Sequence, residues 1–343
     1  MKVPYNWHSN KIQDASRENI RRHLQCYSAR FAEIHSFLYE RILLKEMKVF
    51  VTGASGFIGS ALVSELSNAG HHVVGLARSE ESAKKIKSLG TNVEVLRGDL
   101  EDLDALRKGA REAEGIAHLG FIHDFQNFEK CCEIDRTATE AMLESIIGTN
   151  KPFVYTSGTL SLPDGKISDE TVQNYEHSKF FRDHTEKLAL SYGNKGVRAT
   201  TVRFPPSVHG KGDKAFIPWI ISVAEKSGKS GYVGDGQNVW PAVARPDAAH
   251  LFRLVLEKGR AGRVYHSIAE QGVKSKEIAK AIGDSLHVPT ASIASEDAMR
   301  HFGFLGAFFS KDNPVSSEIT RKELGWNPQG LGLIEDIKKN YIF

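Results

Sequence analysis

Three glycines follow a short apolar run in Met47-Lys48-Val49-Phe50-Val51-Thr52-Gly53-Ala54-Ser55-Gly56-Phe57-Ile58-Gly59, spaced G-x-x-G-x-x-G where a helical pattern begins. This pattern suits the pyrophosphate of a dinucleotide. Gly53 permits a sharp turn and Gly56 lets the backbone approach the phosphates. Gly59 lets the helix pack closely on the strand, with its N-terminal N–H groups facing the anion. A plain turn would explain a glycine triplet standing alone. Here a strand, the glycines, a helix, a second strand over residues 72–77 and a charged residue, Arg78, arrive in the order that nucleotide binding needs.

A second group of residues suits acid–base work. Tyr175 and Lys179 stand one turn apart on a helix predicted over residues 175–192 and share a face. A tyrosine, with a pKa of about 10, gives its proton to a carbonyl oxygen only where a neighbouring cation stabilises the phenolate, and Lys179 would do that. A hydroxyl from the fifth strand, Ser157 or Thr159, would polarise the same oxygen. The bland alternative makes Tyr175 a helix-start aromatic and Lys179 a solvated charge.

The elements that must position these residues are legible in the alternation of β-branched runs with helical patterns. Strands are predicted near 48–52, 72–77, 93–97, 115–119, 153–157 and 198–203, with helical segments between them. That rhythm predicts an α/β fold of the Rossmann type, a doubly wound parallel sheet with a smaller C-terminal lobe. Ligands bind such sheets at the carboxyl ends of the strands, so Gly53, Arg78, Asp99, Gly120 and Ser157 should converge on one crevice. The expected organisation is an extension over 1–46, a nucleotide-binding domain over 47–205 and a substrate lobe over 206–343. A strand near 263–268 should return to the main sheet and interleave the two lobes.

Composition narrows the function classes. In 343 residues, 41% hydrophobic and 25% charged, 45 basic residues face 42 acidic ones in a well-mixed pattern, which argues against a nucleic-acid partner. The longest apolar run, 216–224, is too short to span a bilayer. Three cysteines, Cys26, Cys131 and Cys132, form no disulfide framework, so a reducing, cytoplasmic setting is expected. No His/Cys/Glu grouping has metal-ligand spacing. In the extension, Ile20, Leu24, Tyr27, Phe31, Ile34 and Leu38 make an apolar stripe, which predicts an amphipathic helix over about 17–44. Its acids, among them Asp14, Glu18 and Glu33, argue against an import signal.

From Met47 onward the chain resembles the short-chain dehydrogenase/reductase superfamily, in its extended and atypical branch of NAD(P)-dependent epimerase/dehydratase-like proteins. The carriers are the 52–59 glycine turn, Gly98-Asp99-Leu100, His118-Leu119-Gly120, Thr156-Ser157-Gly158, Tyr175-x-x-x-Lys179, Arg203-Phe204-Pro205-Pro206 and Leu324-Gly325-Trp326-Asn327-Pro328. The resemblance implies cofactor contacts from Gly53, Ser55, Gly56, Phe57, Ile58, Gly59, Arg78, Ser79, Asp99, Leu100, Gly120, Phe121, Lys179 and Pro205. Asp99 matches a carboxylate that contacts adenine, although a helix cap is an equally physical role. Lys179 would also hold the nicotinamide ribose. An acidic residue at the end of the second strand would bind a ribose 2′-hydroxyl and an arginine a 2′-phosphate, so Ala77-Arg78-Ser79 favours NADP over NAD, unless Arg78 is simply a solvated loop residue.

The chain departs from the family pattern in two places. Gly158 stands where the family has its serine, and Asp135 stands where it has an asparagine. The helix register is also open, since matching on Glu186 rather than Asp183 puts Ser178 and Arg182 at the tyrosine and lysine positions. Where relatives contact substrate, this chain has His123, Asp124, Pro206, His209 and Trp240. Each has a dull alternative, Trp240 as a core aromatic and His123 and Asp124 as a loop pair. The leading expectation is an NADP-dependent oxidoreductase of the carbonyl reductase or alcohol dehydrogenase type acting on a small molecule. The alternatives are a nucleotide-sugar epimerase or dehydratase, in which Trp240 and Arg245 would serve the nucleotide, and a non-catalytic NADP sensor. A homodimer is expected only by analogy with relatives.

Overall fold

The computed structural model describes residues 46–341 apart from 125, 174, 177 and 179. The chain divides between Glu46 and Met47. The helix predicted over 17–44, Cys26 and Lys179 lie outside the described residues.

Seven strands form the main sheet: β1 (Lys48–Thr52), β2 (His72–Ala77), β3 (Val93–Arg97), β4 (Gly115–His118), β5 (Pro152–Gly158), β6 (Arg198–Phe204) and β10 (Val264–His266). Their order is β10-β6-β5-β4-β1-β2-β3, and every pairing is parallel. The sequence order reverses between β1 and β4, which opens a crevice at their carboxyl ends, after Thr52 and His118.

Both faces of the sheet are covered, so its central strands β1 and β4 are buried on both sides, whereas the edge strand β3 alternates and exposes Glu94 and Arg97. Val49 and Val51 face the helices α1 (Phe57–Asn68) and α7 (Arg245–Lys258), in a core with Leu62, Leu66, Leu251 and Val255. Phe50, between them, faces the opposite side. There it joins Leu106 of α3 (Leu103–Glu112), Met142 of α4 (Phe128–Glu144) and Ala189 of α5 (Phe181–Ser191). Each such fully buried side chain contributes roughly 1.5–3 kcal/mol. A one-residue slip of β1 would exchange the two cores. The short helix α2 (Glu80–Lys87) completes the edge beside β2.

The smaller lobe is built from β7 (Ser207–His209), β8 (Ser230–Val233), β9 (Val239–Ala244), β11 (Glu270–Lys274) and β12 (Thr290–Ile293), with α6 (Phe216–Ser227) and α8 (Ser275–Leu286). Trp240 sits at its centre, fully buried, ringed by Phe216 and Phe309. After β9 and α7 the chain adds a strand to the main sheet. β10 pairs with β6, and α7 packs on α1 through an ionic chain. In that chain Glu65 holds His250 (2.9 Å) and Arg253 (2.8 Å), and Glu257 holds Arg253 (2.8 Å) and His71 (3.0 Å).

The predicted helix over 175–192 is shorter than expected and begins at Phe181. The Ser178 side chain accepts the Phe180 N–H at 3.0 Å and donates to Asp183. A serine that binds nearby backbone in this way competes with helix propagation, so Tyr175 falls in the preceding turn.

Candidate active site

The crevice floor is a glycine cradle. Gly53 has φ of +66°, and a Cβ there would lie 2.7 Å from the Gly120 nitrogen. A Cβ on Gly59 would lie 2.1 Å from the Gly53 carbonyl oxygen. Gly56 caps α1 with no side-chain acceptor, and the first turn of that helix holds no acidic residue. The N–H groups of Phe57 and Ile58 are therefore open to an anion. These residues fit the pyrophosphate of a dinucleotide. Lys85 borders the cradle, with Nζ 2.7 Å from the Ser55 carbonyl oxygen.

Arg78 is exposed at the end of β2 and forms no ion pair among the described residues. Ser79 instead caps α2, its hydroxyl accepting the Ser82 N–H at 3.1 Å. Asp99 takes the turn-capping role, accepting N–H groups from Glu101 (2.9 Å) and Asp102 (3.0 Å). Leu100 packs beneath Gly120, where an added Cβ would meet its Cδ2 at 2.9 Å. Pro205 is buried after β6 and Pro206 is half-buried.

Under the crevice lies a buried polar chain. The Thr52 hydroxyl accepts the Gly120 N–H at 3.0 Å and meets His118 Nδ1 at 2.6 Å. The other ring nitrogen, Nε2, lies 3.3 Å from Asp135 Oδ1. The other Asp135 oxygen accepts the Tyr155 hydroxyl at 2.6 Å and lies 3.8 Å from Arg182 Nε. Burial works against the Asp135 charge, but His118, Arg182 and Tyr155 outweigh it and hold the carboxyl below its ordinary pKa.

Arg182, on the first turn of α5, closes the crevice side of this chain. Its guanidinium donates to the Thr156 carbonyl, stacks over Phe121 at 4.4 Å and lies 5.7 Å from the Tyr155 ring centre. Its side chain keeps 22% of its surface exposed, unlike Asp135 behind it, which keeps 1%. Ser157 follows Thr156 in β5 and is buried near the end of that strand. His123 packs edge-on against Phe121 at 5.1 Å. Crowding of its ring and then the Arg182 charge push its pKa below the ordinary imidazole value, although much of its surface remains exposed.

Several expected site residues are placed elsewhere. The Tyr175 hydroxyl donates to Glu186 at 2.6 Å, and Glu186 is clamped by the Arg203 guanidinium at 2.5 Å. Burial, and then the Glu186 charge, push the Tyr175 phenol far above its usual pKa, so it holds its proton. Thr159 is fully buried and tied to Asn313, through its hydroxyl (3.0 Å) and its carbonyl (3.1 Å). His209 is fully buried against Asp336 at 2.7 Å, and Trp240 is core. Asp124 binds Gln126 N and Asn127 in the turn before α4. Arg245 gives its donors to the Phe57 carbonyl (2.6 Å) and the Ser60 hydroxyl (2.8 Å), pinning α1 to α7.

The model of the NAD dependent epimerase/dehydratase family matches residues 49–268. The chain belongs to that family. An uncharacterized protein of Saccharomyces cerevisiae is 62% identical over 295 residues, which cover 86% of this chain and 99% of that one. A Stigmatella aurantiaca protein, 4-hydroxy-2-methyl-3-oxo-4-farnesyl-3,4-dihydroquinoline-1-oxide ketoreductase, is 24% identical over 82% of this chain and 92% of its own. The fold also matches a solved dTDP-glucose 4,6-dehydratase from Streptomyces venezuelae, with NAD and TYD bound. That match has a TM-score of 0.69 and 20% identity, over 86% of this chain and 95% of that one.

Membership makes this chain an NAD(P)-dependent enzyme of the oxidoreductase or epimerase/dehydratase-like type. Arg182 stacks over Phe121 and donates to the Thr156 carbonyl, whereas the Tyr175 hydroxyl is bound to Glu186. The residue whose importance the sequence concealed is Asp135. Its signal was the carboxylate in place of the family's asparagine, a change that makes sense only beside a buried cation. Among the described residues no helix is long and apolar enough to cross a membrane, and no cluster of His, Cys, Asp and Glu could hold a metal ion.

Proposed function

We propose that the enzyme reduces the carbonyl group of a small molecule with NADPH. The observation that carries this reading is Arg182, whose side chain keeps 22% of its surface exposed and whose guanidinium donates to the Thr156 carbonyl, next to Ser157 on β5. NADPH supplies the hydride, which goes to the carbonyl carbon. Arg182 and Ser157 hold the carbonyl oxygen and stabilise the negative charge that gathers on it. An arginine does not give up its proton near neutral pH, so it acts as a fixed charge and the alkoxide takes its proton from water.

NADP is favoured over NAD by charge at the adenosine end. The residue directly after β2 is Arg78 rather than an acid, and Glu80, the next acid, faces Arg97 at 3.6 Å. Arg78 is free there and Lys85 lies within the same short helix-and-turn unit, so two cations flank the place of a 2′-phosphate. Reduction is favoured over sugar-nucleotide epimerisation because Arg245 and Trp240, the residues available to a nucleotide diphosphate, are spent on packing. The ketoreductase name of the Stigmatella relative points the same way.

Titration with NADPH and NADH, followed by NADPH oxidation with a panel of aldehydes and ketones, tests this. The expected result is tighter binding of NADPH and carbonyl turnover that Arg182→Ala lowers by about a hundredfold while NADPH binding persists. Binding without turnover on any carbonyl would move the reading to epimerisation, and failure to bind either nucleotide would sink it.

A further inference from the structure

We propose that Asp135 is the positioning residue of the site: a buried carboxylate, fixed from behind by His118 and Tyr155, that holds the Arg182 guanidinium at the substrate oxygen. The proposal rests on the reading of Arg182 given above. A carboxylate with 1% of its side chain exposed persists in ionised form only when charge and hydrogen bonds replace water. Here Tyr155 donates at 2.6 Å, His118 Nε2 faces it at 3.3 Å, and Arg182 provides the balancing cation at 3.8 Å.

The Arg182 Nε is itself buried and without a hydrogen-bond partner, as are Asp135 Oδ1 and His118 Nε2. The carboxylate therefore acts on the guanidinium through charge rather than through a direct hydrogen bond. Among the described residues its one hydrogen-bonded tie is to Tyr155, on β5, while His118 is tied to Thr52 at the base of the glycine cradle. Arg182 is in this way referenced to the strands that carry the cofactor rather than to the turn that precedes α5. An asparagine at 135 would still accept the Tyr155 proton, less strongly, but it would leave the guanidinium without a counter-charge. Arg182 would then gain by leaning toward solvent, and a displacement of about 1 Å is enough to cost roughly a hundredfold in rate.

The test compares Asp135→Asn, Asp135→Glu, Arg182→Ala and the Asp135→Asn/Arg182→Ala double variant, together with crystal structures of the wild type and Asp135→Asn soaked with NADP. Asp135→Asn is expected to lower kcat by about tenfold or more, with KM for NADPH within about twofold, and Asp135→Glu to recover part of the loss. In the Arg182→Ala background the same change should have no further effect on kcat, because a residue acting through Arg182 has nothing left to act on.

A loss of equal size in both backgrounds would overturn the proposal in favour of a general structural role. Full activity in Asp135→Asn alongside an inactive Arg182→Ala would overturn it while leaving the reductase reading intact, whereas an active Arg182→Ala would overturn both. The crystal structures do not depend on turnover: an Arg182 guanidinium unmoved in Asp135→Asn also refutes the proposal. If Asp135→Asn does not fold, His118→Asn withdraws support from the side away from the crevice and should give the same kcat-only loss; unchanged kcat there refutes it.

Discussion

The Tyr175 hydroxyl is 2.6 Å from Glu186 Oε1, and the same carboxylate receives the Arg203 guanidinium from β6. This relationship commits the Tyr175 phenol to a buried ion pair. It predicts that Tyr175→Phe keeps carbonyl turnover within about threefold of the wild type. A hydrogen bond to a charged, buried acceptor is lost, so stability should fall by about 1.5–3 kcal/mol. Steady-state kinetics beside a thermal melt checks both halves, and a loss of turnover without a loss of stability would return the tyrosine to catalysis.

Arg78 leads to a second expectation. It is exposed, unpaired among the described residues, and follows Ala77 at the end of β2. Charge-assisted contacts to a phosphate are strong and geometric, so Arg78→Ala should raise KM for NADPH by about tenfold or more and leave that for NADH nearly unchanged. Equal losses with both nucleotides would place Arg78 elsewhere than at the 2′-phosphate.

Gly59 of the cradle and Gly158 of β5 should respond in opposite ways to an added methyl group. At Gly59 a Cβ would sit 2.1 Å from the Gly53 carbonyl oxygen, a backbone atom that cannot yield cheaply. Gly59→Ala should therefore abolish NADPH binding or folding. At Gly158 the nearest neighbour of a new Cβ is the Phe204 carbonyl oxygen at 3.8 Å, so Gly158→Ser fits without displacement. It restores a hydroxyl at the family position, and turnover equal to or above that of the wild type is expected from it.

The cradle and the sheet were legible because backbone demands and apolar periodicity are written locally. Gly53, Gly56 and Gly59 have to be glycine for reasons that lie within a dozen residues, and β1, β2 and β3 run over the residues their patterns imply. The reacting centre was less legible because it depends on where a helix starts. A Y-x-x-x-K pattern shares one face only on a helix, and α5 begins at Phe181, after Ser178 has accepted the Phe180 N–H and donated to Asp183. His209 and Trp240 misled for a related reason. A polar or aromatic residue near a mouth in sequence can still point inward, and here His209 finds Asp336, 127 residues away.

Acid sensitivity gives the last prediction. His266 is fully buried, its Nδ1 proton donated to the Ser316 carbonyl at 2.8 Å and its Nε2 facing Arg203 at 3.4 Å. Burial, and then the Arg203 charge, lower its pKa to about 3. The unfolded chain protonates this imidazole near pH 6.5, whereas the native protein does not until about pH 3, so between those values the unfolded state binds more protons. The stability that His266 contributes is thus fully present above pH 6.5 and is lost as the pH falls toward 3, with a slope of up to about 1.4 kcal/mol per pH unit. Glu65, whose pKa falls to about 2 through its bonds to His250 and Arg253 working against burial, adds a second loss only below about pH 4.5. The interval from pH 6.5 to 4.5 consequently separates the two groups. Denaturant melts across that interval should show declining stability in the wild type and a flatter dependence in His266→Asn, which keeps a donor near the Ser316 carbonyl but cannot take up a proton. Identical slopes in the two proteins would show that the buried imidazole is not the group being titrated.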